Sequence, residues 1–268
     1  MPEGDAVRRT ALRLDAALVG RQLTKADLRF PAVATVDLVG MTCDTTVVVG
    51  KHLLTRLRGD RGGLTLHSHL RMEGSWATCA SGPRPCTGPA WQIRAWLATA
   101  ETQAVGMRLG MLDVVRTEDE HRLVGRLGPD ILGPDFDPAA IARRLSDCGA
   151  RPLAETLLDQ TVISGMGTIW TSETAFRSGA SPWLPAEQVP RLEEALSETR
   201  AMMQRAVAAR SRAQLPAYAV YGRAGRPCRR CGTPIRTGRV GAAPMDRVTY
   251  WCPTCQPGPT AEPRHLPG

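Results

Sequence analysis

The sequence predicts an α+β multidomain protein in four consecutive parts: an N-terminal helix, an antiparallel β block, a helical block and a small cysteine-bearing ribbon. Three observations carry that reading. The hydrophobic texture switches near residues 21, 125 and 217, between helical spacing and short β-rich runs. Four of the eight cysteines fall in two Cys-x2-Cys pairs close to the end. At 268 residues the chain is long enough to bury more than one core.

Residues 5 to 18 set Val7, Ala11, Leu14 and Leu18 on one helical face and Arg8, Arg9 and Arg13 away from it, and Gly20 ends the helix. From about 21 to 125 the runs QLTKADLRF, TTVVVGKHLLTRL, LTLHSHL, WQIRAWLAT and MLDVVR read as strands of a sandwich or barrel. Ala77 to Pro89, rich in Gly, Pro, Ser and Cys, reads as a loop. Asp137-Pro138 starts the helical block, in which LAETLLDQ and TIWTSETAF flank the turn VISGMG. Two helices about a glycine-bearing turn resemble a helix–turn–helix, or a plain helical hairpin. The expected divisions are 2–125, 126–216 and 217–256, with 257–268 a disordered tail.

Thirty-four Lys and Arg against 26 Asp and Glu leave a net charge of +8, which suits a polyanionic partner or simply a solvated basic surface. Only Lys25 and Lys51 are lysines, so Lys51 stands out. No stretch approaches the ~20 apolar residues of a membrane span, and the first residues carry no apolar signal region. The expected location is therefore the cytosol, where cysteines serve as metal ligands or free thiols rather than disulfides.

Cys228, Cys231, Cys252 and Cys255 have the spacing of a tetrahedral zinc site, two pairs separated by twenty residues. The intervening residues read as a β-hairpin too short to fold without metal, so one structural zinc is expected. Arg229, Arg230, Arg236, Arg239 and Arg247, with Tyr250 and Trp251 among them, suit contacts to phosphate.

MPEGD at the start, GKHLL at 50–54, SHLRMEGSW at 68–76, VYGR at 220–223, CRRCGTPI at 228–235 and YWCPTC at 250–255 run in one order over nearly the whole chain. Together they resemble the formamidopyrimidine-DNA glycosylase and endonuclease VIII family. The likeness is to the endonuclease VIII branch: MRLGMLDVV stands where the purine-acting branch carries its RRFG motif. The resemblance implies an N-terminal helix with an antiparallel β-sandwich, a helix–two-turn–helix domain and a zinc ribbon. It also implies base-excision-repair chemistry on damaged DNA, double-stranded with single strands left open, by a chain taken as a monomer.

The family's roles map onto residues here. Pro2, terminal once Met1 is removed, would be the nucleophile; a terminal amine titrates near ~8, so a useful neutral fraction exists. Attack at C1′ of the damaged nucleotide gives an iminium, which acidifies C2′ and leads to β- and then δ-elimination. Glu3 would protonate the sugar ring oxygen. Lys51 would be a further acid/base group, or a strand-end surface charge. Arg247 matches the arginine that grips phosphates beside the lesion, and Arg126 another phosphate contact. Arg71 and Met72 sit at the wedge positions that fill the hole left by a flipped base, although Met72 also fits a hairpin core. Asp5 and Glu173 fall where the family has acids near the pocket, and Glu173 also fits a helix surface.

One departure stands out. The family turn is Gly-hydrophobic-Gly-Asn, and this chain has Gly165-Met166-Gly167-Thr168. Thr168 keeps a hydroxyl able to cap the helix but loses the amide, so a weaker or shifted backbone grip is expected. Four alternatives stay open: preference for oxidised purines, action mainly on abasic sites, a non-catalytic damaged-DNA-binding protein, and a zinc-ribbon transcription or polymerase accessory factor, which would explain residues 228–255 but leave the N-terminal motifs as coincidence.

Overall fold

The computed structural model describes residues 2–60 and 62–260. The chain divides into two compact units, Met1–Arg126 and Leu127–Gly268. Residues 261–268 of the expected tail lie outside the described residues.

In the first unit, helix α1 (Gly4–Leu18) is followed by β1 (Lys25–Leu28), β2 (Thr42–Val49), β3 (His52–Gly59), β4 (Gly62–His69), β5 (Ser75–Ala80), β6 (Ile93–Ala98), β7 (Thr102–Met107), β8 (Met111–Arg116) and the single-turn helix α2 (His121–Val124). The strands form two antiparallel four-stranded sheets, ordered β2-β3-β4-β8 and β1-β6-β7-β5. Leu53, Leu57, Leu66 and Leu112 of the first sheet share one core with Trp76, Ala95, Leu97 and Ala104 of the second. The predicted face of α1, Val7, Ala11, Leu14 and Leu18, is buried in that same core. Each large side chain among these contributes roughly 1.5–3 kcal/mol of burial. Gly20, at φ 75, turns the chain away after α1.

Two expectations change here. Residues 77–80 belong to β5, which pairs with β7 from Ser75↔Met107 to Ala80↔Thr102. Its small polar residues show little alternation, so the partner strand, not local pattern, makes it a strand. Trp91 and Gln92 lie in a short 3₁₀ turn (Ala90–Gln92), and the expected strand over WQIRAWLAT begins only at Ile93.

The second unit contains α3 (Pro138–Ser146), α4 (Leu153–Leu158), α5 (Thr168–Ser178) and α6 (Leu192–Ala208), then the hairpin β9 (Arg236–Val240) and β10 (Arg247–Trp251). Asp137 caps α3 by accepting the Ala140 N–H at 3.0 Å, with Pro138 at the first helical position; such a cap is worth about 1 kcal/mol. Ile141, Leu157, Ile163, Trp170, Leu196 and Met203 build the helical core. Phe176, Val220, Ile235, Cys228 and Cys252 form a separate, much smaller one. After the ribbon, Gln256 Nε2 donates to Ala180 O at 2.9 Å, and the Ser181 hydroxyl donates to Pro259 O.

Candidate active site and metal centre

Glu3 is the residue before α1. Its backbone is extended (φ −109°, ψ 179°), its carbonyl accepts the Val7 N–H at 3.0 Å, and its side chain does not cap the helix. The side chain is instead buried, with Glu3 only 2% exposed. Asp5, also buried, stands 3.5 Å from Arg9. Pro2 is half-buried just ahead of them. The positive end of the α1 dipole thus lies beside the two buried carboxyl groups of Glu3 and Asp5, next to Pro2.

Lys51, half-buried, lies in the two-residue turn Gly50–Lys51 closing β2 onto β3, where Val49 pairs with His52; Gly50 supplies the positive φ of 60°. The β4–β5 turn carries Arg71 and Met72, both exposed, Met72 by 65%. Gly74 donates its N–H to Leu70 O at 2.8 Å, and a Cβ there would meet that oxygen at 2.4 Å. Met72 is therefore displayed to solvent on a tight turn, outside any hairpin core.

Sequence reasoning missed the neighbours of Lys51 and Arg71. His52 Nδ1 and His67 Nε2 are 2.8 Å apart, and His67 Nδ1 lies 3.0 Å from Asp113 Oδ2. His69 Nδ1 accepts the Arg71 backbone N–H at 2.9 Å. Burial, helped by the neighbouring histidines and Lys51, pushes His52 down to about 3 and His69 to about 4. Burial also lowers His67, against the opposing pull of Asp113. A usable signal was present: three of the five histidines sit in KHLL and LHSHL. Arg108, with φ 45° and Nη1 3.0 Å from Glu73 Oε2, is a further basic group beside this turn. Arg126 is exposed at the end of this unit.

In the second unit, the turn before α5 is organised by Gln160. Its Oε1 accepts the Gly165 N–H at 3.2 Å, and its Nε2 donates to Met166 O at 3.0 Å. Gly167, not Thr168, is the N-cap: its backbone is extended, and Thr168 is the first helical residue. The expected cap by Thr168 is thereby corrected, because a capping side chain must stand on the residue outside the helix. Gly167 has no side chain with which to cap α5.

Glu173, on α5, is fully buried, and its carboxylate accepts the N–H groups of Ala219, Val220 and Tyr221 at 3.0, 2.9 and 3.0 Å. It is neither a surface acid nor an open one; it holds the segment leading into the ribbon. Tyr250 N–H donates to Ser172 Oγ at 3.3 Å, which fastens β10 to α5. Arg247, first on β10, turns its Nη1 back to Met245 O at 2.7 Å and Asp246 O at 3.2 Å.

The four cysteine sulfurs of the ribbon lie within 4.8 Å of one another. Cys228 and Cys255 are 4.0 Å apart, Cys231 and Cys252 3.4 Å, which brackets the ~3.8 Å edge of a tetrahedron with zinc–sulfur bonds of about 2.3 Å. Arg230 N–H points at Cys228 Sγ (3.4 Å) and Cys255 N–H at Cys252 Sγ (3.5 Å), as suits thiolate ligands. The donor set fits a tetrahedral metal ion, and among the described residues no other group of three or more such side chains does. No helix among the described residues is long and apolar enough to cross a membrane.

A helix-and-sandwich unit, joined in sequence to a helical unit that ends in a four-cysteine hairpin, defines a class of DNA-repair fold. The chain belongs to the formamidopyrimidine-DNA glycosylase and endonuclease VIII family. The model of the formamidopyrimidine-DNA glycosylase N-terminal domain matches residues 1–120, and that of the H2TH domain residues 127–215. It is 49% identical over 271 residues to the probable endonuclease 8 2 of Streptomyces coelicolor, covering 98% of this chain and 96% of the relative. It is 43% identical over 263 residues to the DNA-(apurinic or apyrimidinic site) lyase Nei2 of Mycolicibacterium smegmatis, covering 96% and 99%. The fold superposes on Lactococcus lactis Fpg solved with abasic-site DNA, with a TM-score of 0.80 at 24% identity, covering 96% of this chain and 100% of that one.

Proposed function

We propose that this protein is a bifunctional DNA glycosylase and abasic-site lyase of base excision repair, that it removes oxidised pyrimidines, and that the amine of Pro2 is its nucleophile. The observation that carries this reading is the seating of Pro2 and buried Glu3 at the positive end of α1, in a chain of which 98% aligns with an endonuclease 8 relative.

After loss of Met1, the Pro2 nitrogen bonds to C1′ and the sugar ring opens. Buried Glu3, in its acid form, gives its proton to the ring oxygen as the base departs. The resulting iminium draws electrons from the C2′–H bond; a base takes that proton, and the 3′ phosphate leaves with the electron pair. A second elimination releases the 5′ phosphate. Lys51 contributes a cation for phosphate or for the leaving base, and Arg247 and Arg126 hold phosphates beside the lesion. Arg71 and Met72 enter the stack, and the α5 end with Thr168 takes a backbone phosphate. Asp5 orders the first turn of α1 with Arg9. Cys228, Cys231, Cys252 and Cys255 would hold one structural zinc, which supplies folding energy to the ribbon and no chemistry. The three divisions 2–125, 126–216 and 217–256 act as one monomer on bacterial cytosolic DNA.

Borohydride trapping on duplexes carrying thymine glycol or an abasic site tests the proposal. A covalent adduct lost in Pro2→Gly supports it; DNA binding with no adduct on either duplex, or active protein that retains Met1 by mass spectrometry, overturns it. The name of the Mycolicibacterium relative, which mentions the lyase alone, favours a second reading: action mainly on abasic sites. Trapping confined to the abasic duplex would select it.

A further inference from the structure

We propose that Asp113, His67, His52 and His69 are positioning residues that preset the Arg71–Met72 turn for insertion into the DNA stack. The proposal rests on the reading of that turn as the wedge.

Arg71 holds a positive φ of 51°, a conformation costly for a residue with a side chain. Something outside the turn must hold it there. Its backbone N–H, which can only donate, goes to His69 Nδ1 at 2.9 Å. That bond leaves the proton of a neutral His69 on Nε2. The His69 ring meets His52 edge-on, with centroids 4.9 Å apart and planes at 69°. His52 in turn is bound to His67, and His67 to Asp113, at 2.8 and 3.0 Å.

Every tautomer in this chain follows from its ends. An ionised carboxylate only accepts, so His67 carries its proton on Nδ1 and presents a bare Nε2. His52 must then donate from its own Nδ1. The four side chains come from three adjacent strands in register, with His52 opposite His69 and His67 opposite Asp113. His67 is 1% exposed, whereas the Asp113 side chain is 40% exposed, so the line starts at the surface and ends at the turn. The neutral state of all three rings agrees with it.

The turn is held from its other side as well. A Cβ on Gly110 would meet Arg71 Cγ at 2.4 Å, so the absence of a side chain there lets the Arg71 stem lie against the β7–β8 turn. Arg108 of that turn pairs with Glu73 at 3.0 Å. Met72 is left projecting, 65% exposed. A wedge ordered before it meets DNA does not lose that conformational freedom on insertion.

Stopped-flow fluorescence with 2-aminopurine opposite a stable abasic analogue in a duplex reads insertion directly. With full-length protein, His69→Phe keeps the ring volume and removes the acceptor; insertion should slow by about tenfold, the factor for one lost hydrogen bond. Asp113→Leu should slow it likewise, while Asp113→Asn, which still accepts from His67, should stay within about twofold. If His69→Phe does not fold, His52→Phe breaks the same line at another link. Insertion at the wild-type rate in a folded His69→Phe or His52→Phe protein, or Asp113→Asn as slow as Asp113→Leu, overturns the proposal. Met72→Ala separates the two readings. If it leaves the signal intact, the wedge assignment itself fails. If it abolishes the signal while the histidine variants stay fast, only the positioning role fails.

Discussion

Glu173 Oε1 accepts the Val220 N–H at 2.9 Å inside the second unit, and the same carboxylate takes the amides on either side of it. A fully buried anion is tolerable only where donors surround it, and here three consecutive backbone amides do so. The chain entering the ribbon is thereby fastened to α5, the helix whose first residue is Thr168.

Glu173→Gln should therefore destabilise the protein by roughly 2–4 kcal/mol, since its amide group sets a donor against backbone donors. Denaturant unfolding measures the loss. Hydrogen exchange at Ala219, Val220 and Tyr221 should accelerate before exchange in the helical core. Wild-type stability would show that the carboxylate is replaceable there.

Glu3→Gln should separate the two activities. Without a proton for the ring oxygen, excision of thymine glycol should fall by about 10²–10⁴-fold, while cutting at a preformed abasic site is largely retained. Parallel single-turnover assays decide it. An equal fall on both substrates would assign Glu3 to the Pro2 amine instead.

Removal of metal should unfold the ribbon first, because the core formed by Phe176, Val220 and Ile235 is too small to hold it alone. Purified protein should contain about one equivalent of zinc. Cys255→Ala should lose both the metal and most DNA affinity, while the first unit keeps its own unfolding transition. A metal-free protein with an ordered hairpin would contradict this.

The histidine line predicts a pH dependence of stability. His52, His67 and His69 are lowered in the folded protein by burial first, with the charges of Lys51 and Arg71 adding to it at His69. In the unfolded chain they titrate near ~6.5. Between those limits the unfolded state binds more protons, so this stabilisation is complete above ~6.5 and declines as pH falls toward about 4. The melting temperature should drop between pH 7 and 4.5, and less steeply in His52→Phe. A flat profile would mean that the rings are hydrated and charge freely.

Much of this protein was legible from residue order. The α1 stripe, the Asp137-Pro138 start and the paired cysteines are local signals: helical period, cap chemistry and ligand spacing act within a few residues, and the structure realises each of them. The strand at 75–80 was not legible, because it exists through its pairing with β7. Nor was the N-cap at Gly167, because Gly167 and Thr168 both suit that position by residue type and backbone dihedrals choose between them. The line from Asp113 to Arg71 needs strand register to bring residues 46 positions apart within hydrogen-bonding distance. Residue order determined which chemistry is available and the elements that carry it; only the tertiary structure decided which side chains meet, because register and burial arise from contacts between distant segments.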